Sequence, residues 1–521
     1  MTDCLSRCRG SLLRLSACLA VWAICVVPLT ASADSSPGAF RAAFVDRDIS
    51  PDLGMEQPGG YGKVFHRTLH DPCKARIGVF HDGRESPEGY TAIVSLDALI
   101  IRRVTVEAAR QRIEQATGIP ARQILIHATH SHSSGPTGLI LPGEYDHAEP
   151  FVRELAYEKS SMADPVYLER VENQIVEGVT AAWKNLQPAR FGVGRGQEPT
   201  VAFNRRFLMK NGLTYTHPRP GNPDIVKPAG PVDPEVGVLG VWDEQDRLQG
   251  CLVNFVCHAT TNPGGISANY IAYVEKAIRG MFGEQVVVVF LAGASGDVTQ
   301  VDNLSLDVPK RGAAMTALVG GRVGAEAVKV LLGMTTGTSC PIAVRSETLR
   351  MPRRQPRPEH LAEAKALIKL DPREAGQTNW IFAKELVLLE ALQAVKPVVE
   401  VEVQAVQIGP LVVVACPAEY FCQFGLDIKQ GSPFPFTFIA SLSNGCAGYV
   451  PTLEAFGENG GGYETRLTSY SNLEITAGDT IAETGIRLTR QLQPGDVPQP
   501  VRIPAFQGGP WEYGNLPPQK D

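Results

Sequence analysis

Apolar runs of strand length alternate with longer amphipathic stretches along most of this chain, and this alternation strongly constrains its fold. Residues 90–100 and 122–129 are largely apolar, which is typical of buried strands. Between them, residues 103–118 carry apolar side chains near helical spacing and end at Gly118, as a helix does. Because the strands are apolar throughout, both of their faces are expected to be buried. The pattern therefore predicts an α/β fold with a mixed, partly parallel sheet core flanked by helices.

The same alternation continues to residue 492. Further strands are predicted at residues 249–262, 285–297 and 435–442, and residues 340–352 and 398–417 are predicted to form sheet edges or a hairpin. Further helices are predicted at residues 165–186, 270–283, 358–369, 377–394 and 479–492. We expect one composite domain over residues 34–493, with a subdivision near residue 340 as the alternative, and then a Pro/Gly-rich tail over residues 494–521.

The first 33 residues have the pattern of a secretory signal peptide. Three arginines precede an apolar run over residues 15–29, and Ala31-Ser32-Ala33 provides the small residues that signal peptidase reads. Cleavage before Asp34 would place the mature chain in the periplasm or outside the cell. The alternative is an uncleaved anchor, although the run is short for a membrane span. No transmembrane segment is predicted in the mature chain, because no later run reaches about 18 apolar residues.

Charge and cysteine content narrow the class of protein. The net charge is −6, and it becomes −8 once residues 1–33, with three arginines and one aspartate, are removed. No basic block favours nucleic acid or anionic lipid as a partner. Seven of the 11 cysteines remain after residue 33, thinly spread, and are compatible with one or two disulfides or with buried thiols.

Polar residues collect where four of the predicted strands end. They are His127, His130 and His132 in the stretch ILIHATHSHSSGP, then Cys257, His258, Gly296, Asp297, Thr299 and Glu419. Ligand sites in open α/β sheets lie beyond the carboxyl ends of strands, so we expect these groups to converge. His130 and His132 would share one face of an extended chain. Both could bind a cation, or one could bind it while the other donates a hydrogen bond; the alternative is that they bond to loop carbonyls.

Seven short motifs then suggest a family. In chain order they are ATHSHSSGPTG, FNRR, VDPEVGVLGVWD, VNFVCHATT, GASGDVTQVDN, ACPAEYF and NGCAGYVPTLEAFGENGGGYET. From about Phe40 to about Leu492 the chain resembles the catalytic domain of the neutral/alkaline (non-lysosomal) ceramidase family, especially its shorter bacterial relatives. That family is zinc-dependent and cleaves the amide bond of N-acyl sphingoid bases.

The resemblance implies a role for each matching residue. The implied Zn²⁺ ligands are His130, His258, Glu419 and Tyr449. His132 would assist the reaction, Arg205 would contact the substrate, and Tyr463 would line the site. Two neutral imidazoles and one carboxylate leave a zinc centre with a net positive charge, which lowers the pKa of bound water and polarises a carbonyl group.

The chain departs from the family in two places. Thr299 stands where the family has a serine proposed as the nucleophile, and its extra methyl group would crowd an attack. Metal-activated water is therefore the favoured nucleophile, with Thr299 as a hydrogen-bonding wall and Asp297 orienting a ligand or a helix start. Only residues 493–521 follow the last predicted helix, too few for the immunoglobulin-like domain of full-length ceramidases, so we expect that domain to be missing.

These observations predict an exported zinc-dependent hydrolase that cleaves the amide bond of a small-molecule or lipid-like N-acyl substrate, such as ceramide. One alternative keeps the zinc site but changes the bond to an ester, a lactone or an acetylated sugar. The other is a non-catalytic binding protein on the same scaffold. The oligomeric state stays open.

Overall fold

Three β-sheets form the core of the computed structural model, which describes residues 39–509, 513 and 517–521. The predicted signal segment, residues 1–33, lies outside the described residues. In spatial order, the first sheet contains β4 (Ile124–Ala128), β3 (Tyr90–Leu96), β2 (Lys74–His81), β1 (Arg41–Asp48) and β5 (Gln187–Pro188). The second contains β13 (Val287–Ala292), β12 (Leu248–Phe255), β11 (Glu235–Trp242) and β6 (Arg190–Gln197). The third contains β15 (Ile342–Pro352), β16 (Val398–Ile408), β17 (Leu411–Ala415) and β19 (Phe436–Ala440).

Smaller sheets and the helices complete the architecture. The short strands are β7 (Phe203–Asn204), β8 (Arg206–Met209), β9 (Thr214–Thr216), β10 (Ile225–Pro228), β14 (Val298–Thr299), β18 (Glu419–Tyr420) and β20 (Tyr449–Val450). The helices are α1 (Arg103–Thr117), α2 (Pro150–Tyr157), α3 (Pro165–Lys184), α4 (Tyr270–Phe282), α5 (Gly312–Leu332), α6 (Pro358–Leu367), α7 (Pro372–Ala375), α8 (Gln377–Val395), α9 (Cys422–Gly431) and α10 (Ala477–Thr489).

The two faces of strand β13 are buried in different cores. In β13, Val289 and Leu291 face the core shared by the three sheets, whereas Val288 and Phe290 pack with helices α4 and α5. Successive side chains of a strand point to opposite faces, so strands buried on both sides must be apolar throughout. This explains the continuous apolar runs in the sequence.

The same β-α-β arrangement occurs once in each main sheet. Strands β3 and β4 are parallel neighbours with α1 between them in the chain. The pairs β12/β13 and β17/β19 are likewise parallel, with α4 and α9 as their connections. The remaining pairings within the three main sheets, among the described residues, are antiparallel. The loops that follow the parallel strands of the three sheets therefore carry the polar residues that the sequence predicts to converge.

The predicted fold class is confirmed, and each predicted helix and strand has a counterpart, although the strand predicted at residues 249–262 ends at Phe255 and the segment at residues 398–417 forms two strands, β16 and β17. Helix α1 ends at Gly118, whose φ of 75° is the left-handed conformation that glycine adopts readily at helix ends. The sequence pattern did not predict five strands of the main sheets (β1, β2, β5, β6 and β11), helices α2, α5, α7 and α9, or the strands of the small sheets. Residues Pro37–Asp521 cluster as one unit, and the domain bounds stay a prediction.

The cysteines and the hydropathy of the helices are two further features of the described residues. All seven described cysteines are free thiols, and six of them are buried, so they pack as small apolar side chains. Among the described residues, none of the helices combines the length and the hydropathy needed to cross a membrane.

A buried ion network ties the first sheet to helix α4. The Arg76 side chain is 1% exposed; its Nε donates to Glu275 Oε2 over 2.9 Å, and its Nη1 donates to Asp97. Asp97 follows β3, and Glu275 lies on α4, which covers the second sheet. Lys74 and Arg279 also pair with Glu275. Arg76 is therefore the cation that keeps Asp97 paired in the interior.

We predict that Arg76→Met lowers the free energy of unfolding by roughly 3–5 kcal/mol, because it leaves the Asp97 carboxylate buried without a cation. Urea denaturation followed by circular dichroism measures this change. Arg112→Met is the matched control: Arg112 pairs with Glu172 at the surface, where such pairs contribute less than about 1 kcal/mol. Equal effects of the two substitutions would contradict the prediction.

Candidate metal centre

His130 lies two residues beyond the end of β4 and points a free ring nitrogen into the interior. Its Nδ1 is 2.9 Å from the Leu99 carbonyl oxygen, which can only accept, so Nδ1 carries the proton and donates. In the neutral ring Nε2 then carries a lone pair. The residue has a φ of 65°, an uncommon conformation for a non-glycine residue that is concentrated at functional sites.

His258, three residues beyond β12, is held in the same way. Its Nδ1 donates to the Ser295 carbonyl over 3.0 Å, which again leaves the lone pair on Nε2. Burial lowers the pKa of this ring, so it is neutral. The Nε2 atoms of His258 and His130 are 2.9 Å apart. Two lone pairs at this distance repel each other unless a cation lies between them.

Glu419 brings a carboxylate to the same point. Its Oε2 lies 3.1 Å from His130 Nε2 and 3.4 Å from His258 Nε2, and this buried oxygen has no hydrogen-bond donor among the described residues. Burial opposes the charge, but the proximity of His130 and the hydroxyl of Tyr470 outweigh it and lower the pKa of Glu419 to about 2. Two imidazole nitrogens and one carboxylate oxygen form a donor set that Zn²⁺ accepts.

His132 is the third histidine of the cluster. Its Nε2 is 3.3 Å from His130 Nε2, and the ligand nitrogens of the three rings lie within 4.8 Å of one another. The backbone of Gly59 hydrogen-bonds to the His132 ring, and Gln57 Nε2 donates to the His132 carbonyl over 2.9 Å. Burial lowers the pKa of His132 to about 3. The ring is therefore a neutral group at the edge of the centre.

His127 has a different, structural place. It accepts a hydrogen bond from the Ala292 amide at Nε2 over 2.9 Å, and its Nδ1 is 3.1 Å from the Ser443 hydroxyl. Burial lowers its pKa to about 3, so it stays neutral. Both ring nitrogens are used to join the ends of β4, β13 and β19, and His127 is not part of the metal cluster.

Tyr449 and Tyr463 form the phenolic wall of the site. In the parallel pair β18/β20, Tyr449 is the register partner of Glu419. The two phenolic oxygens are 3.4 Å apart, and Tyr463 opens a short 3-10 turn. Burial raises the pKa of Tyr449 and raises that of Tyr463 to about 12, so both groups are neutral donors at neutral pH.

Arg205 lies beneath these rings. Its guanidinium carbon is 5.5 Å from the Tyr449 ring centroid and 5.2 Å from that of Tyr463. Nε donates to Glu464 over 2.9 Å, and Nη2 donates to the Gly296 carbonyl over 2.7 Å. Two of its three guanidinium nitrogens are thus used within the protein, and the geometry suits a support for the tyrosines.

Thr299 and Asp297 lie behind the centre. The Thr299 hydroxyl donates to Gln300 Oε1 over 2.9 Å, and the side chain is fully buried. Asp297 Oδ1 accepts from the amide of Cys422, the first residue of α9, and Oδ2 accepts from Asn204, each over 2.8 Å. Asp297 therefore orients a helix start, one of the two roles expected for it.

A cavity of about 180 Å³ opens beside the histidines. Its lining comprises Gly59, Gly60, Tyr61, Leu99, His130, His132, Leu139, Glu419, Tyr449, Tyr463 and Tyr470. Thr299 and Arg205 are not among these lining residues. Drug-sized ligands occupy pockets of roughly 300–1,000 Å³, so this cavity accommodates a compact group rather than a whole lipid.

Two features of the site were missed by sequence reasoning. Tyr470 donates to Glu419 Oε1 over 2.7 Å, which orients the carboxylate towards the histidines. The fully buried Lys384 donates to the Tyr61 carbonyl over 2.7 Å and to the Ser160 hydroxyl over 2.6 Å, which holds the wall at Gly59–Tyr61. A lysine inside the apolar helix WIFAKELVLLEAL was the available signal for the second; Tyr470 lies in no recognisable motif.

Comparison with known proteins supports the assignment of the fold. No family model matches the sequence. A curated neutral ceramidase from Pseudomonas aeruginosa is 26% identical over 242 residues, which are 45% of this chain and 32% of that protein. The chain thus spans about a third of the length of the curated relative that it matches.

Two solved structures superpose on nearly the whole chain. A ceramidase complexed with C2 has a TM-score of 0.61 at 17% identity, over 91% of this chain and 79% of that one. The neutral ceramidase from Pseudomonas aeruginosa has a TM-score of 0.62 at 19% identity, with the same coverage. The chain has a neutral ceramidase-like fold. The resemblance inferred from the seven motifs is thereby confirmed.

We predict that the ceramidase-like chain binds a divalent metal through this cluster. Purified parent protein should contain zinc by plasma mass spectrometry, and His130→Ala and Glu419→Ala should each lose most of it, because each removes a donor of the cluster. His147→Ala, at a histidine that is not part of the cluster, is the control and should keep the parent content. Unchanged zinc in both cluster variants would contradict the prediction.

Tyr470→Phe should weaken zinc affinity by about 10–100-fold, because the variant keeps the ring but loses the hydrogen bond that orients Glu419. Competition with a chromogenic chelator measures the affinity. Tyr273→Phe, which removes a hydroxyl group remote from the cavity lining, provides the comparison. An affinity within twofold of the parent would show that the Tyr470 hydroxyl does not support the site.

Proposed function

We propose that this chain is a zinc-dependent hydrolase that cleaves the amide bond of a ceramide-like N-acyl substrate. The observation that carries the proposal is that two histidine lone pairs and a carboxylate oxygen meet beside a cavity. This oxygen has no hydrogen-bond donor among the described residues. The similarity to a curated neutral ceramidase supports a ceramide-like substrate. The solved structure of a ceramidase complexed with C2 supports it further.

The residues that would hold the zinc are His130, His258 and Glu419, with Tyr449 beside them. When bound, zinc supplies Lewis acidity, which lowers the pKa of water and polarises a carbonyl group. The carbonyl hydrogen bonds at both Nδ1 atoms fix the tautomers that present the Nε2 lone pairs. The protein is thus set to receive a cation without rearranging these two rings.

His132 is proposed to transfer a proton from the attacking water to the leaving nitrogen. Its ring bonds to the Gly59 backbone on one side and presents Nε2 to the cluster on the other. A neutral imidazole in this position can accept a proton from attacking water and pass it to the leaving nitrogen, which must be protonated before it departs as an amine. This role needs no hydroxyl nucleophile.

Tyr449 and Tyr463 are proposed to stabilise the charge that develops on the carbonyl oxygen. Both are neutral phenols in the cavity wall and can each donate a hydrogen bond. Arg205 lies against both rings and adds a positive charge where negative charge develops. Its role would be to position and polarise the phenols.

The cavity limits how the substrate can lie. Its volume of about 180 Å³ admits the amide group and a few adjoining carbons, and Leu99 and Leu139 offer apolar contact. The rest of a long acyl chain would extend out of the cavity. The export signal expected in residues 1–33 belongs to the same proposal and would place the enzyme where extracellular or periplasmic N-acyl compounds occur.

The proposal is tested with a fluorescent N-acyl sphingosine. The parent should release the fluorescent product, and His130→Ala should lose activity by roughly a thousandfold or more, since a metal contributes several kcal/mol to the transition state. Zinc binding without amide turnover, but with turnover of an aryl ester or a lactone, would overturn the amide assignment. Zinc binding without turnover of any of these would favour a binding protein.

Thr299→Ala should retain activity within about tenfold of the parent. The Thr299 hydroxyl donates to Gln300 and does not line the cavity, so its loss removes a buried hydrogen bond and not a reacting group. Thr299→Ser is the matched control that keeps the hydroxyl. If Thr299 were the nucleophile, the alanine variant would fall by roughly 10⁴-fold or more while the serine variant would not.

A further inference from the structure

A second concavity lies on the surface beside helices α6 and α8. It encloses about 600 Å³, within the range of small-molecule sites. Helix α6 (Pro358–Leu367) and helix α8 (Gln377–Val395) line it together with residues 354–357 and the pair Arg466–Leu467. We call it the arginine groove.

The arginine groove is amphipathic. Its apolar lining includes Leu367, Phe382 and Leu386 from the two helices. Three arginines, Arg354, Arg357 and Arg466, and also His360 line it, against a single carboxylate at Glu363. A chain with a net charge of −6 has thus concentrated positive charge around one apolar depression.

Within the part of the chain that the structure describes, the three arginines of the groove have no carboxylate partner. Among the described residues, none of the three has a carboxylate within 4.0 Å. The Arg354 guanidinium lies over the Phe456 ring, 4.9 Å from its centroid, and makes only long hydrogen bonds, of 3.4 Å to the Thr465 carbonyl and 3.3 Å to the Ser471 carbonyl. Its buried Nε has no hydrogen-bond partner in the described part of the chain. Burial alone lowers the pKa of Arg354 to about 10. An anion in the groove would supply the missing partner.

The arginine groove adjoins the wall of the metal cavity. The guanidinium carbon of Arg466 lies 3.5 Å from the ring centroid of Phe382, and that ring is 5.9 Å from the ring of Tyr61. Tyr61 lines the cavity that contains His130 and Glu419. Arg466 also follows the turn Tyr463–Thr465, whose first residue is part of the phenolic wall.

We propose that the arginine groove binds an anionic amphiphile, with its alkyl chain along Leu367, Phe382 and Leu386 and its acidic head between Arg354, Arg357 and Arg466. An apolar floor beside unpaired guanidinium groups matches this ligand class, because arginine forks bind carboxylate and phosphate oxygens. A fatty carboxylate and an anionic phospholipid share this chemistry. Hydrolysis of an N-acyl amide releases a fatty carboxylate, and this link between the groove and the reaction rests on the proposed function.

The test is isothermal titration of the full chain with dodecanoate below its micelle concentration. Dodecanoate should bind, and both dodecanol and acetate should bind at least tenfold more weakly, because each lacks one half of the ligand. Arg466→Met and Arg357→Met should each weaken dodecanoate binding by roughly tenfold through loss of a charged hydrogen bond. Arg195→Met is the matched control, since Arg195 also lies over an aromatic ring, at 5.9 Å from Phe436, but outside the groove.

Two further arms distinguish binding in the groove from binding at the metal centre and from adsorption to a lipid surface. His130→Ala should bind dodecanoate as the parent does; loss of binding in this variant would mean that the carboxylate occupies the metal centre, and would overturn the proposal. Binding that survives both groove substitutions would overturn it too. Titration with dodecyl phosphate and with phosphatidylglycerol vesicles tests whether a phospholipid is the ligand. If the chain bound the vesicles but neither monomeric dodecanoate nor monomeric dodecyl phosphate, a site for a single molecule would be excluded. None of these readouts requires amide turnover, so they stand apart from a failure of the proposed function.

Discussion

The meeting of His130, His258 and Glu419 is the interaction on which the site depends. Two ring nitrogens with lone pairs lie 2.9 Å apart, and a buried carboxylate oxygen lies within 3.4 Å of both. Such a cluster is unfavourable without a cation, because lone pairs and an anionic oxygen repel one another in a medium that screens poorly. The protein holds it by fixed hydrogen bonds with Leu99, Ser295 and Tyr470, which leave each donor atom facing inward.

The fold makes this cluster by repeating one arrangement three times. Each main sheet contains a parallel strand pair with a helical connection, and the loop after one strand of each pair carries a donor. Two buried side chains then join these sheets. His127 Nε2 accepts a hydrogen bond from the backbone of β13, and the side-chain amide of Asn254 donates to backbone carbonyls of β13 and β19. Ligand sites form beyond the carboxyl ends of such strands because their loops meet there and their backbone groups are free to bind.

The residues around the candidate metal ligands show how the protein interior stabilises buried charges. Arg205 lies against two phenols and is paired with Glu464, and Lys384 satisfies the carbonyl of Tyr61 and the hydroxyl of Ser160. A buried cation of this kind is tolerated only when its donors are used. In contrast, the arginines of the groove beside α6 and α8 have no carboxylate partner among the described residues, which is why that groove suits an anionic ligand and the interior does not.

The sequence by itself determined many of the elements: apolar runs placed eight of the 13 strands described in the three main sheets, helical spacing placed α1, α3 and α4, and Gly118 ended α1. It also placed His130, His132, His258 and Glu419 after apolar strands, where a site is expected, and the resemblance to the ceramidase family implied that His130, His258 and Glu419 are metal ligands. Only the tertiary structure separated His127 from the cluster, turned the Thr299 hydroxyl towards Gln300, and added Tyr470 and Lys384. The physical reason is that periodicity and burial are local properties, written in the order of residues. Which hydrogen-bond partner a side chain finds depends on segments that are far apart in the chain and meet only when the three sheets pack together.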